Sequence, residues 1–95
     1  MKQHIDKKKA QHLVNKGAML IDVRDPVSFR DNTIPGAVNI SLRRISELMS
    51  HPKNKCLILF GDSDNDENLT SAVRYAQQFG FDKVYSLGAK ENWSK

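Results

Sequence analysis

The sequence predicts an α/β fold: a small parallel sheet of four to five strands with helices on both faces. Two observations support this prediction. Three short runs, at residues 19–23, 57–60 and 84–87, are almost continuously apolar, as is typical of strands buried on both faces of a parallel sheet. Between them, apolar residues recur at helical spacing. A length of 95 residues suits one hydrophobic core, so residues 1–95 are expected to form a single domain.

The first half of the chain carries clear start and stop signals. Asp6 can cap a first helix, and Gly17 can supply the left-handed residue that ends it. The strand at residues 19–23 follows. Asp25 and Pro26 then suit the N-cap and first position of a short second helix. Residues 34–40 predict a tight turn, because they begin Ile-Pro-Gly, and then a brief strand.

The second half predicts two longer helices. Ser41 can cap the first of them, which should stop near Pro52. Its core-facing residues are expected to be Leu42, Ile45, Leu48 and Met49. The other helix follows the strand at residues 57–60 and ends at Gly80. Its apolar stripe comprises Leu69, Ala72, Val73, Ala76 and Phe79.

Composition excludes several classes of protein. No apolar run approaches the roughly 20 residues of a membrane span, so no membrane association is expected. Cys56 is the only cysteine, which excludes an internal disulfide and a thiolate zinc cage and suits a reducing cytoplasmic location. The three histidines are scattered. We therefore predict no resident metal and no cofactor, and the sequence specifies no oligomeric state.

The most unusual feature is a local cluster of negative charge. The chain carries 15 Lys and Arg against 11 Asp and Glu, a net charge of +4. Four of the acids fall within six positions of one segment, and without them 15 basic and 7 acidic residues would leave +8. This segment, the acidic loop, consists of Gly61, Asp62, Ser63, Asp64, Asn65, Asp66, Glu67 and Asn68. It follows a buried strand, and the sites of parallel sheets lie beyond the carboxyl ends of their strands.

Several motifs together resemble the rhodanese-like domain family. The segment LIDVRDPVSF at residues 20–29, followed by IPGAVNI at 34–40, is similar to the paired signature of that family. Residues 57–60 resemble its central strand, residues 80–87 its penultimate segment, and Trp93 its terminal aromatic residue. The resemblance covers roughly residues 5–93 and implies a rhodanese-like fold. A shared fold does not by itself establish that the protein has the activity of the family.

The resemblance implies a sulfur-transfer activity, but this sequence differs from active members at the residues that the activity requires. Active members carry a cysteine directly after the central strand, which takes sulfane sulfur from a donor such as thiosulfate and holds it as a persulfide. Gly61 occupies that position here, or Ser63 if the loop's extra length of about two residues is placed earlier. Neither residue can carry a persulfide, the loop lacks the usual arginine, and its carboxylates should repel thiosulfate or phosphate. We expect sulfurtransferase and phosphatase activity to be lost.

The acidic loop leaves three interpretations open. It is a solvated loop without function, a cation site, or part of a binding or regulatory module that offers negative charge to a basic protein partner. The spacing Asp62-x-Asp64-x-Asp66 matches the first half of a calcium loop. However, Glu67 stands where that loop needs glycine and Val73 where it needs its last ligand. We favour the binding module over the cation site.

The alternative function is a sulfurtransferase in which Cys56 or a partner's cysteine supplies the thiol. Cys56 precedes the central strand, so about five residues at roughly 3.3 Å each should place it near the opposite edge of the sheet. A semi-buried structural role is therefore the simpler expectation for this cysteine.

Two further groups of polar residues have structural interpretations. Asp22 and Arg24 lie in the LIDVRD motif, where the resemblance implies that they organise neighbouring turns through hydrogen bonds. The basic residues at 7–9 and 43–44 fall on different predicted helices without interleaved aromatics. A solvated positive face is expected there, and no nucleic-acid partner.

Overall fold

A four-stranded parallel sheet forms the centre of the protein. The structure is a computed structural model that describes residues 3–94. Its strands, which stand in the spatial order β2-β1-β3-β4, are β1 (Met19–Asp22), β2 (Val38–Asn39), β3 (Leu57–Gly61) and β4 (Val84–Ala89). All three neighbouring pairs are parallel, and His4, which lies outside these strands, adds one parallel bridge to Ser86 of β4. The predicted α/β class is confirmed.

Helices connect the strands and cover both faces of the sheet. The three α-helices are α1 (Lys7–Asn15), α2 (Pro26–Asp31) and α3 (Glu67–Gln78). Two 3₁₀ helices complete the chain, at Leu42–Ser50 and Lys90–Trp93. No helix within residues 3–94 is long and apolar enough to cross a membrane.

The alternation of side chains along β3 divides the core into two clusters. Leu57 and Leu59 pack with α3 and with the Leu42–Ser50 helix on one face. Ile58 and Phe60 pack with α1 and Trp93 on the other face. All five residues of β3 are buried, so the strand that precedes the acidic loop is anchored from both sides.

Most of the predicted start and stop signals are confirmed. The Asp6 carboxylate accepts a hydrogen bond from the Lys9 amide at 2.9 Å, and Asp25 caps α2 in the same way through the Ser28 amide. Between α2 and β2, the Ala37 amide donates to the Ile34 carbonyl at 3.0 Å. Gly36 has a φ of +90° in this turn, a conformation that residues with a side chain rarely adopt.

The third predicted helix differs from expectation. Leu42–Ser50 is a 3₁₀ helix interrupted at Arg44 (φ −115°, ψ 19°), and the Ser41 hydroxyl makes no capping hydrogen bond. With three residues per turn, positions 42, 45 and 48 align on one face. Met49 falls outside that face and is 57 % exposed, so its prediction as a core residue is wrong.

Candidate functional site

The acidic loop lies at the carboxyl edge of the sheet. It begins with Gly61, the last residue of β3, and ends within the first turn of α3. Because β1 pairs with β3 in parallel, Asp22 at the end of β1 is the register partner of Phe60. The loop, Asp22 and the start of α3 are therefore neighbours at one edge.

The carboxylate of Asp66 accepts three hydrogen bonds from the backbone of the loop and the first turn of α3. Its Oδ1 accepts from the amides of Asn68 at 2.8 Å and Leu69 at 3.3 Å, which makes Asp66 the N-cap of α3. Its Oδ2 accepts from the Asp62 amide at 3.0 Å. The N–H groups that a loop before a helix can offer to an external anion thus bind a carboxylate of the chain itself.

Asp66 also restricts what can stand at position 61. A Cβ atom placed on Gly61 would lie 2.5 Å from Asp66 Oδ2 and 3.3 Å from Leu69 Cβ. The first of these distances is shorter than any normal contact between a carbon and an oxygen. A cysteine at this position therefore requires the Asp66 carboxylate to move.

Asp64 points away from Asp66, towards the end of β4. Its Oδ1 accepts hydrogen bonds from the Ala89 amide at 2.9 Å and from Asn92 Nδ2 at 2.8 Å. The same oxygen would lie 2.3 Å from a Cβ atom on Gly88, whose φ of +82° also favours glycine. Asp64 thus ties the loop to the last strand.

The remaining polar residues of the loop face solvent. Asp62 is 72 % exposed in its side chain, with Oδ1 at 3.6 Å from an Arg24 guanidinium nitrogen. Ser63, Asn65, Glu67 and Asn68 are exposed. The loop's aspartates therefore have separate partners, and within residues 3–94 no three His, Cys, Asp or Glu side chains lie close enough together to hold a metal ion.

Asp22 and Arg24 form a buried ion pair beside the loop. Asp22 Oδ1 accepts from the amide and Nε of Arg24 at 2.9 and 3.0 Å, and Oδ2 accepts from Thr33 Oγ1 at 2.7 Å. The guanidinium also donates to the carbonyls of Ser28 and Asn32. Hydrogen bonding to Asp22 raises the pKa of Arg24 above its ordinary value. The pair connects the end of β1 to α2 and to the segment after it.

Cys56 lies at the opposite edge of the sheet from the loop. It immediately precedes β3, and its carbonyl accepts a hydrogen bond from the Met19 amide at 2.9 Å. Its side chain is half-buried, and burial raises the pKa of the thiol although Lys83, Lys55 and Lys9 act against that effect. The five residues of β3 separate it from the loop by about 16 Å at strand geometry.

The comparison with known families agrees with this architecture. Residues 1–95 match the family model described as the rhodanese-like domain. The chain belongs to the rhodanese-like domain family. It is 34 % identical over 93 residues to thiosulfate sulfurtransferase GlpE of Pseudomonas syringae pv. syringae, covering 96 % of this chain and 86 % of that protein. GlpE of Ectopseudomonas mendocina is 29 % identical over 92 residues, with coverages of 96 % and 84 %.

Solved structures of rhodanese-like domains share the fold. A rhodanese-like domain from Anabaena superposes with a TM-score of 0.81 at 23 % identity, covering 99 % of this chain and 74 % of that one. A human single-domain sulfurtransferase gives a TM-score of 0.81 at 19 % identity, with coverages of 99 % and 96 %. These likenesses confirm the predicted rhodanese-like fold.

Two features of this rhodanese-like domain escaped the sequence analysis. The first is the role of Asp66, although an aspartate just before the apolar stripe of a helix is a known N-cap signal. The second is Asn92, which bridges Asp64 and the Leu87 carbonyl, the latter at 2.8 Å. An asparagine far along the chain carries no sequence signal for such a contact.

The two aspartates that contact Arg24 should differ sharply in their effect on stability. Asp22→Ala leaves a buried guanidinium without its counterion and should lower the free energy of unfolding by about 3 to 5 kcal/mol. Asp62→Ala removes an exposed, longer contact and should cost under about 1 kcal/mol. Urea denaturation of both variants checks this, and similar losses would show that the buried pair is not the stronger contact.

Proposed function

We propose that this rhodanese-like domain is a binding module that does not itself carry sulfur. The observation that carries the proposal is the contact between the Asp66 carboxylate and the amides of Asp62, Asn68 and Leu69. The relatives described above are named thiosulfate sulfurtransferases.

Sulfur transfer through a persulfide needs a thiolate at the end of the central strand. The thiolate attacks the outer sulfur of thiosulfate, a sulfur–sulfur bond forms, and sulfite leaves with the electron pair of the bond that breaks. Gly61 ends β3 here, and Ser63 in the loop is exposed. Neither offers a thiol, so the first bond of the reaction has no nucleophile at this edge.

The loop is also unsuited to an anionic donor. Two of its amides, with that of Leu69 in α3, already donate to Asp66, and the exposed carboxylates of Asp62 and Glu67 stand beside them. Two like charges about 4 Å apart repel by on the order of 4 kcal/mol at an effective dielectric constant near 20. To bind here, thiosulfate would have to displace the Asp66 carboxylate from the amides and then lie beside the negative charges of Asp62 and Glu67.

Cys56 is a poor substitute for the missing nucleophile. Its raised pKa lowers the fraction of thiolate at neutral pH, and it lies across the sheet from the loop. Neither it nor a partner's cysteine would have the amides of the loop free to bind a donor. The sulfurtransferase alternative is therefore the weaker one.

The exposed acids of the loop support a basic protein partner. Asp62 and Glu67 extend from an otherwise basic molecule, which carries +4 overall. Negative charge confined to one exposed loop would act chiefly on the rate and orientation of association with a basic surface. We propose that this loop is where such a partner docks.

The direct test is formation of thiocyanate from thiosulfate and cyanide. The protein and its Cys56→Ser variant should both give the rate of a protein-free blank, because no thiol lies at the carboxyl edge. GlpE of Pseudomonas syringae serves as the active control. Turnover above the blank that disappears in Cys56→Ser would overturn the proposal.

A cysteine introduced at position 61 should stay inert until Asp66 is removed. In a Cys56→Ser background, Gly61→Cys should react slowly with iodoacetamide at pH 7.5, because Asp66, moved aside by the new side chain but still next to it, competes for the amides that would stabilise its thiolate. Adding Asp66→Ala should speed alkylation by about tenfold, the effect of lowering the thiol pKa by roughly one unit. Circular dichroism shows whether each variant is folded.

The matched control removes one charge elsewhere in the same loop. Gly61→Cys with Glu67→Ala should react nearly as slowly as Gly61→Cys alone, because Glu67 accepts none of these amide hydrogen bonds. Equal acceleration by Glu67→Ala and Asp66→Ala would mean that loop charge, rather than occupation of the amides, suppresses the thiol.

A further inference from the structure

A groove lies beside the acidic loop at the same edge of the sheet. This groove has a volume of about 440 Å³, within the range of small-molecule sites. One wall is the start of the Leu42–Ser50 helix, at residues 41–44, and the other is Asp25 with Pro26. Asn68 and Val23, the residue after β1, complete the lining. Asn68 is shared with the neighbouring contact, because its amide donates to Asp66 Oδ1, whereas the other lining residues make no contact with Asp66 among the hydrogen bonds described above.

Ser41 places an unused polar group in this groove. The residue is only 8 % exposed, yet its hydroxyl makes no capping hydrogen bond to the helix that follows. Among the described residues, no buried side-chain oxygen or nitrogen lacks a partner. The Ser41 hydroxyl has no hydrogen-bond partner within residues 3–94, so its oxygen cannot be fully buried and must be open to the groove that Ser41 lines.

The surrounding groups on the same wall are donors. The first hydrogen bond of the helix runs from the Arg44 amide to the Ser41 carbonyl at 2.8 Å, which leaves the amides of Leu42 and Arg43 without an acceptor in the turn. The Arg43 side chain is exposed and forms no ion pair within residues 3–94. Arg44 shares its charge with Glu47 at 2.6 Å.

The one carboxylate that lines the groove is already engaged. Asp25 accepts from the amide and hydroxyl of Ser28 at 2.9 and 3.1 Å. These hydrogen bonds hold the pKa of Asp25 below its ordinary value. The Asp25 carboxylate thus caps α2. The positive charge and the hydrogen-bond donors of the groove come from residues 41–44.

We propose that the groove binds an organic anion through a carboxylate or phosphate head. The head accepts hydrogen bonds from the Ser41 hydroxyl, from the free amides of Leu42 and Arg43, and from the Arg43 guanidinium. The apolar body lies against Val23, Pro26 and Leu42. The head belongs either to a free small molecule or to a side chain of a peptide.

This site differs from the acidic loop in one physical respect. Both lie at the start of a helix, where unpaired amides favour an anion. At α3 the Asp66 carboxylate fills that position, whereas no carboxylate of the described chain fills it at Ser41. The inference therefore stands whether or not the loop binds a basic partner.

Amide chemical shifts of the ¹⁵N-labelled protein test the groove, with phenyl phosphate as the probe. The amides of residues 41–44 and 68 should shift in a saturable manner, and inorganic phosphate, which lacks the apolar body, should bind more weakly. Arg43→Gln should weaken binding by about tenfold and Ser41→Ala by a few-fold, as expected for loss of a charged and a neutral hydrogen bond. Arg74→Gln removes an exposed charge outside the groove and should change nothing.

The same measurement separates the two sources of the anion. An end-capped tripeptide with a central phosphotyrosine presents the same head and ring as phenyl phosphate. If both bind, a peptide side chain can supply the anion, and if only phenyl phosphate binds, a free small molecule does. The proposal is overturned if the shifts spread over the whole surface, or if Arg43→Gln and Arg74→Gln weaken binding equally. Neither result bears on sulfur transfer, which thiocyanate formation tests.

Discussion

The Asp66 carboxylate accepts hydrogen bonds from the amides of Asp62, Asn68 and Leu69, and the behaviour of the whole loop depends on this contact. It caps α3, sets the path of the chain after β3, and leaves no space for a side chain at Gly61. One internal negative charge thus satisfies the amides that would otherwise attract an external one. Our proposal that the loop does not take an anionic donor rests on this occupation as well as on charge repulsion.

The fold positions this contact with little freedom. β3 is buried along its whole length, so the residue at which the loop begins cannot shift without disturbing both core clusters. Asp22 and Arg24 hold the neighbouring strand end and α2, and Asp64 fastens the loop to β4 through Ala89 and Asn92. The loop carries no cysteine, and these contacts make it a defined surface rather than a loose connection.

Sequence reasoning predicted the parts of this molecule that depend on local patterns. The continuous apolar runs identified the strands, and the caps at Asp6 and Asp25 depend only on residues three positions away. The prediction for Met49 was wrong because the apolar pattern of residues 42–49 does not by itself distinguish an α-helix from a 3₁₀ helix, and only in the former would Met49 face the core. The acidic loop looked like four equivalent charges, since partners such as Arg24 and Asn92 are distant in sequence and only the fold brings them close.

The central claim is that the Asp66 carboxylate, and not an external anion, occupies the amides of the loop. Amide ¹H–¹⁵N shifts of the protein and of its Asp66→Ala variant test it most directly. The account predicts that Asp66→Ala moves the amide resonances of Asp62, Asn68 and Leu69 together, and that added thiosulfate leaves these three resonances of the unmodified protein unmoved. Resonances that stay in place in the variant, or a saturable shift of the unmodified protein on addition of thiosulfate, would contradict it.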